Sequence, residues 1–258
     1  RMGMERPMTD QPVYGRNPVL ELLRSGSRHA DEIAVLASGR GPALLELVAR
    51  ARESGAKVSF RTREQLTAMA GTPHHQGVVA RIAAASYARL GDLLARPTSL
   101  GEAAFFLALD RVQDPRNLGA LLRVAEGAGA HGVILPKHQA AGLTGATAKA
   151  AMGAIEFLPV AREANLVSVL EILKKQGIWI IGGVPVGRVP PWKVDFAMPL
   201  CLVMGAEGSG LRPLIARTCD FLVSLPMKGK VSSLNVAAAA AALCYEVVRQ
   251  REKILIGP

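Results

Sequence analysis

The residues whose types and spacing can carry chemistry fall in three clusters in the second half of the chain. The first is Asp110-Arg111-Val112-Gln113-Asp114-Pro115-Arg116-Asn117-Leu118-Gly119, followed by Arg123 and Glu126. Asn117 has the side chain of a helix cap, and Arg123 places a permanent cation on a helix otherwise made of Leu121, Leu122, Val124 and Ala125. The second is Gly205-Ala206-Glu207-Gly208-Ser209-Gly210-Leu211, three glycines around one carboxylate. Glycines there let a backbone approach a ligand closely, and a plain turn with Ser209 capping a helix would use the same residues. The third runs from Leu225 through Pro226-Met227-Lys228-Gly229-Lys230-Val231-Ser232-Ser233-Leu234-Asn235 to Val236 and into an alanine-rich segment ending at Glu246. It reads as a strand, a tight polar loop and a small-residue helix, an arrangement whose backbone groups can hold a ligand.

These clusters need elements to position them. From Ala104 onward, apolar strands are expected at 105–109, 132–135, 157–160, 178–181, 200–204 and 221–225, separated by helices. Nearly continuous apolar strands alternating with helices indicate a parallel sheet covered on both faces. In such open sheets ligands bind beyond the carboxyl ends of the strands, and the three clusters follow Leu109, Met204 and Leu225. Gly127, Gly129 and Gly132 satisfy the GxGxxG spacing of a dinucleotide-binding turn. They close a helix and precede a strand, the reverse of that turn, and so read as a helix C-cap. The oxidoreductase reading therefore loses its main support.

The first third of the chain repeats the alternation on a smaller scale. Asn17-Pro18 is expected to open a helix through Leu23, with a strand at 32–37, a helix from Gly41-Pro42 to Ser54-Gly55 and a strand at 57–60. Thr62 and Gln65 have the spacing of a capping box for a third helix, and Gln76-Gly77 leads into a strand at 78–82. The expected division is a flexible N-terminus at 1–12, a small α/β domain at 13–83, a linker at 84–103 containing Pro97 and Gly101, and a larger α/β domain at 104–258.

With 258 residues, half of them hydrophobic, the chain can bury a sizeable core. Its 31 Lys+Arg against 21 Asp+Glu give a net charge of +10. The excess is spread over both halves, which suits a polyanion such as RNA and suits solubility alone nearly as well. Cys201, Cys219 and Cys244 are odd in number and widely spaced, and the five histidines show no ligand spacing. Neither a disulfide framework nor a metal site is expected. No segment has the length and apolarity of a signal peptide or membrane span, so a reduced, cytoplasmic setting is expected.

Taken together and in order, the clusters resemble the three motifs of the SpoU (TrmH-like) family of RNA ribose 2′-O-methyltransferases, within the knotted SPOUT class. The matching stretches are Gln113 to Gly119 with Arg123, Met204 to Gly210, and Leu225 to Val236. Val13 to Glu21 and His75-Gln76-Gly77-Val78 look like the substrate-binding domain of the branch acting on guanosine in ribosomal RNA. Lys230 departs from the small residue common at its position. The resemblance implies a trefoil-knotted C-terminal methyltransferase domain, a small N-terminal RNA-binding domain, S-adenosylmethionine as methyl donor, large-subunit ribosomal RNA as substrate, a homodimer and no metal. It implies a cofactor site at Met204, Gly205, Leu225, Met227, Ser233 and Leu234. Arg123 is implied as the central catalytic residue, with Asn117, Glu207, Ser233 and Asn235 around it. Arg16, Asn17, Arg116 and Lys149 are the implied RNA contacts, and the loop of His74-His75 is a further one. Transfer RNA, a ribosomal site linked to antibiotic resistance, or a catalytically silent assembly factor are the alternatives. Whether Arg123 would act within its own chain or across a dimer is open at this level.

Overall fold

The computed structural model describes residues 12–25, 30–82, 85–185 and 189–256, so most of the expected flexible segment 1–12 lies outside the described residues. The chain forms two compact units, one comprising residues up to Ser86 with Gly142–Gly145, the other Tyr87–Ala141 and the chain from Ala146 onward.

The smaller unit is built from β1 (Val13–Tyr14), α1 (Arg16–Ser25), β2 (Ala30–Leu36), α2 (Pro42–Glu53), β3 (Lys57–Arg61), α3 (Arg63–Ala70) and β4 (Val78–Ile82). Its sheet has the order β1-β4-β2-β3, with β2 parallel to β3 and β4 antiparallel to β1 and β2. Alternation along β2 sends Ile33 and Val35 to one face, where Val19, Leu22, Leu44 and Leu47 of α1 and α2 complete a core. Ala34 goes to the other face, against Leu66 of α3. The capping box of α3 is present in both directions: Gln65 N donates to Thr62 Oγ1 and Thr62 N to Gln65 Oε1. Asn17 is not the cap of α1. The helix starts two residues earlier than that cap implies, at Arg16, because Gly15 (φ 95°) turns the chain sharply and its carbonyl accepts from Val19 N.

The larger unit contains α4 (Leu90–Leu100), β5 (Phe105–Asp110), α5 (Pro115–Gly127), β6 (Gly132–Pro136), α6 (Gly145–Ala151), β7 (Val160–Glu163), α7 (Leu166–Lys175), β8 (Trp179–Gly183), β9 (Leu200–Gly205), α8 (Pro213–Thr218), β10 (Phe221–Val223) and α9 (Val236–Ile256). Its six strands are all parallel, in the order β10-β8-β9-β5-β6-β7. Phe106, Ala108, Ile134, Ile180, Cys201 and Val203 point to one face, where Leu93 of α4, Leu166, Leu170 and Leu173 of α7 and Ile215 of α8 cover them. Leu107 and Leu109 alternate to the other face, and α9 packs on β9 and α5 on that side.

Three expectations change. Residues 84–103 do not form a linker throughout, since they carry α4, whose apolar Leu90, Leu93 and Leu94 recur at helical period and seat a fully buried Leu93 in the core. The strand expected at 157–160 begins only at Val160, because residues 154–156 make a 3₁₀ turn instead. Finally, α5 is capped by Asp114, whose carboxylate accepts from Arg116 N at 2.7 Å, and not by Asn117. Gly127 to Gly129 do close this helix, with Gly129 at φ 73°.

Candidate active site at the carboxyl edge of the sheet

Strand order locates the site. From β5 the chain moves on to β6 on one side, and from β9 to β10 on the other, so β5 and β9 flank the point where the winding reverses. A crevice opens there beyond the strand ends. Asp110, the last residue of β5, lies beside Gly205, the last of β9, and Met204 lies beside Gly183 of β8. The loops leaving β5 and β9 are therefore neighbours before any side chain is considered.

Asp110 is fully buried and fully used: its carboxylate accepts from Arg212 N at 2.8 Å and pairs with Arg212 Nε at 2.7 Å. That bond ties the loop after β5 to the segment before α8. Arg212 stands at the N-terminus of α8, so Ser209 does not cap it. The turn 206–210 is closed by Gly210 N donating to Ala206 O at 2.8 Å. A Cβ at Gly205 would lie 2.1 Å from Gly210 C and 2.3 Å from its O, so no side chain fits there. This turn places Glu207 over the strand ends.

Because Asp114 caps α5, the Asn117 side chain is free to reach elsewhere. Its Nδ2 donates to Glu207 Oε2 at 3.1 Å, and its Oδ1 accepts from Asn235 Nδ2 at 3.0 Å. Asn235 Nδ2 also lies 3.4 Å from Glu207 Oε2, while its Oδ1 accepts from Ala237 N and so caps α9. One residue from each of the three sequence clusters thus closes a triangle of two amides and a carboxylate.

Two cavities meet at Glu207, and Asn117 lines the second of them. One, of about 280 Å³, is lined by Met204, Gly205, Leu225, Met227, Ser233 and Leu234, all six residues assigned to the cofactor from the sequence. Gly183, Val184, Pro185 and Leu243 complete its wall, and the sequence reading missed them. Only the paired Gly182-Gly183 at a strand end hinted at them, and a Cβ at Gly183 would sit 2.8 Å from Met204 Sδ. Apolar walls of Leu225, Leu234 and Leu243 with glycine backbone between them fit a flat, partly apolar ligand such as the adenosyl group of S-adenosylmethionine. The second cavity, of about 360 Å³, is polar, with Arg111, Gln113, Asp114, Asn117, Glu207 and Ser209 on its walls. Ala206, Glu207 and Val236 border both.

Arg123 lines neither cavity. It lies six residues beyond Asn117 on α5, about 9 Å along the axis and on a different face, and it is exposed. Arg116 and Lys149 are also exposed, on α5 and α6. In the smaller unit, Arg16 lines a third cavity, of about 370 Å³, with Arg63, Gln76, Leu36 and Leu44, while Asn17 is exposed in the first turn of α1. Arg63 was not singled out from the sequence, where it is one arginine among many. His75 is not an RNA contact. It is buried, with Nδ1 accepting from Gly77 N and Nε2 beside Thr67 Oγ1, and of the pair only His74 is exposed.

The cysteines take no part. Burial pushes the Cys201 thiol far up, and those of Cys219 and Cys244 up to about 12, so they stay protonated and weakly reactive. Among the described residues no group of three or more His, Cys, Asp or Glu could hold a metal ion, and no helix is long and apolar enough to cross a membrane.

Comparison with known proteins shows the family. Residues 104–245 match the model of the SpoU rRNA methylase family, and residues 12–88 match that for RNA 2′-O ribose methyltransferase substrate binding. A putative TrmH family tRNA/rRNA methyltransferase, YacO of Bacillus subtilis, is 43% identical over 94% of this chain and 96% of its own. The 23S rRNA (guanosine-2′-O-)-methyltransferase RlmB of Ralstonia nicotianae is 42% identical with the same coverage. Among solved structures, the SpoU methyltransferase AviRb of Streptomyces viridochromogenes in complex with AdoMet aligns with a TM-score of 0.60 at 26% identity, covering 94% of this chain and 90% of that one. With one family model over its larger unit and relatives above 40% identity over nearly its whole length, the chain belongs to the SpoU rRNA methylase family.

Proposed function

We propose that this protein transfers the methyl group of S-adenosylmethionine to the ribose 2′-hydroxyl of a guanosine in large-subunit ribosomal RNA. The observation that carries this is the Asn117–Glu207–Asn235 triangle, whose Glu207 borders both an apolar cavity and a polar one. The substrate class follows from the relatives named RlmB and from the match to a substrate-binding family at residues 12–88.

When bound in the apolar cavity, S-adenosylmethionine supplies a sulfonium methyl as electrophile. The protein would bring the O2′ in line with the sulfur–methyl bond, so that the O–C bond forms as the S–C bond breaks, S-adenosylhomocysteine leaves and the hydroxyl proton passes to solvent. Leu225 and Leu234 would hold the flat end of the donor, and Met204, Met227 and Ser233 would line the rest. Asn117 and Asn235 fix Glu207 by charge-assisted hydrogen bonds, so that the carboxylate and the amides present a rigid polar edge to the ribose. Arg123 stabilises the developing alkoxide as a cation, since a guanidinium does not lose its proton in the physiological range.

In this reading Arg123 serves the cavity of a second copy. It lies on the exposed face of α5 with Arg116, next to an exposed row of α9, Ala238, Ala242 and Tyr245, small enough at two positions for close packing. Tyr245 Oη reaches Gly127 O at 3.5 Å, joining the two helices into one surface. A homodimer through this surface, a trefoil knot in the chain and a cytoplasmic location belong to the same proposal. So do RNA contacts by Arg16, Asn17, Arg116 and Lys149, and the division of labour between residues 13–83 and 104–258. Arg16 is joined by Arg63, because both border one cavity.

The deciding experiment incubates the purified protein with methyl-labelled S-adenosylmethionine and, separately, in vitro transcribed 23S rRNA and transfer RNA, then maps the label. A single 2′-O-methylguanosine is expected. Label on transfer RNA alone would reassign the substrate, and no label in any RNA would leave the silent-factor reading standing.

A further inference from the structure

Arg111 occupies a backbone conformation that its residue type disfavours. It follows β5 with φ 61°, the left-handed region that glycine adopts without strain and that a side chain with a Cβ resists. Nothing in the fold obliges an arginine there. The structural anchor of this corner is its neighbour Asp110, whose carboxylate is already satisfied by Arg212. The Arg111 guanidinium instead lines the polar cavity, where its Nη2 makes one long hydrogen bond, 3.4 Å to Ser209 Oγ. Its Nε is sealed from solvent with no hydrogen-bond partner. It enters no ion pair among the described residues.

The other charged groups on this cavity are the carboxylates Asp114 and Glu207, each held in place by neutral donors, so Arg111 is the one cation among the described residues lining it. Asp114 caps α5, and Glu207 holds Asn117 and Asn235. A strained residue and a cation without a counter-ion on one cavity wall together describe a site for an incoming anion.

We propose that Arg111 binds the phosphate of the RNA nucleotide being methylated. The 3′-phosphate is the anion nearest a ribose O2′ in any RNA chain. With the ribose at the Asn117–Glu207–Asn235 triangle, that phosphate falls into the cavity that Arg111 lines. The Nη edge of the guanidinium then takes two phosphate oxygens, and Ser209 keeps Nη2 oriented. This rests on the proposed RNA methyl transfer. It adds a residue that fixes the substrate and leaves methyl-donor binding alone.

The test compares Arg111→Gly and Arg111→Lys with the wild type. Replacing Arg111 by glycine removes the backbone strain, so the melting temperature is expected to rise by about 2–4 °C. The same variant is expected to raise KM for in vitro transcribed 23S rRNA by about 10-fold or more, with kcat within about threefold and S-adenosylmethionine affinity unchanged. In filter binding to that RNA, the slope of log K against log salt is expected to fall by about one for the glycine variant. Arg111→Lys keeps the charge and loses the fork, so it should retain the salt slope and recover part of KM. Wild-type RNA affinity and salt slope in Arg111→Gly would overturn the proposal, and so would a fall in its melting temperature, which would make Arg111 a structural residue. If the wild type methylates no RNA, the functional reading fails, while the salt slope still decides whether Arg111 grips a phosphate.

Discussion

At the scale of single residues, the site works by fixing one carboxylate with two amides. Glu207 Oε2 receives both Asn117 and Asn235, and removing one amide leaves the carboxylate free to turn. Asn117→Ala is expected to lower kcat by about 10- to 100-fold, with binding of S-adenosylmethionine changed less than about threefold. Single-turnover assays and calorimetry separate the two. Asn235→Ala is expected to cost turnover and also about 1 kcal/mol of stability, because the same side chain caps α9. Asn117 shows how far the sequence reached at this scale. Its involvement was legible from its neighbours, but its helix-capping role belongs to Asp114, and it is that exchange which frees Asn117 for Glu207. Arg111 was not legible, since a positive φ arises from the way β5 meets the loop and leaves no mark in residue order.

At the scale of elements, the carboxyl ends of β5, β8 and β9 set the site's dimensions. Gly205 touches the backbone of Gly210, so the turn bearing Glu207 is pressed against the strand that bears the cofactor cavity. Gly205→Ala is expected to destabilise the protein by about 2–4 kcal/mol and to weaken S-adenosylmethionine binding more than about 10-fold, measurable by thermal melting and calorimetry. The strands themselves were readable because a parallel sheet buried on both faces demands uninterrupted apolar runs. Helix α4 was harder to read. Its Pro97 and Gly101 suggest a break, and only the burial of Leu93 in the core shows that packing outweighs local punctuation.

At the scale of the whole molecule, pairing of two chains and pH become testable. If Arg123 serves its partner's cavity, a mixture of Arg123→Ala and Leu225→Glu chains should regain activity that neither has alone. The first supplies an intact cofactor cavity, the second an intact arginine. Failure of mixed dimers to regain activity would place Arg123 within its own chain. Stability also carries a pH signature. His131 is buried, its Nδ1 accepts from Phe105 N, and its Nε2 faces Glu102. Burial lowers its pKa below the ordinary 6.5, against the opposing pull of Glu102. As pH falls through 6.5 the unfolded chain takes up the proton first, so this contribution is present above that value and is lost below it. The melting temperature is expected to fall between pH 7 and 5, and the fall should be shallower in His131→Gln.

The sequence by itself determined most of the strands and helices and the order of the chemical clusters, because periodicity and apolar runs are local consequences of residue type. It also placed the three clusters beyond the carboxyl ends of strands, where ligands bind in open parallel sheets. Tertiary structure decided what those residues do to one another. The strand order brought Asp110 beside Gly205, joined residues 117, 207 and 235 through their side chains, turned Arg123 away from its own chain's cavities and held Arg111 in strain over the polar one. Such relations depend on contacts between residues up to 118 positions apart, as between Asn117 and Asn235, and these exist only once the sheet has closed around its core.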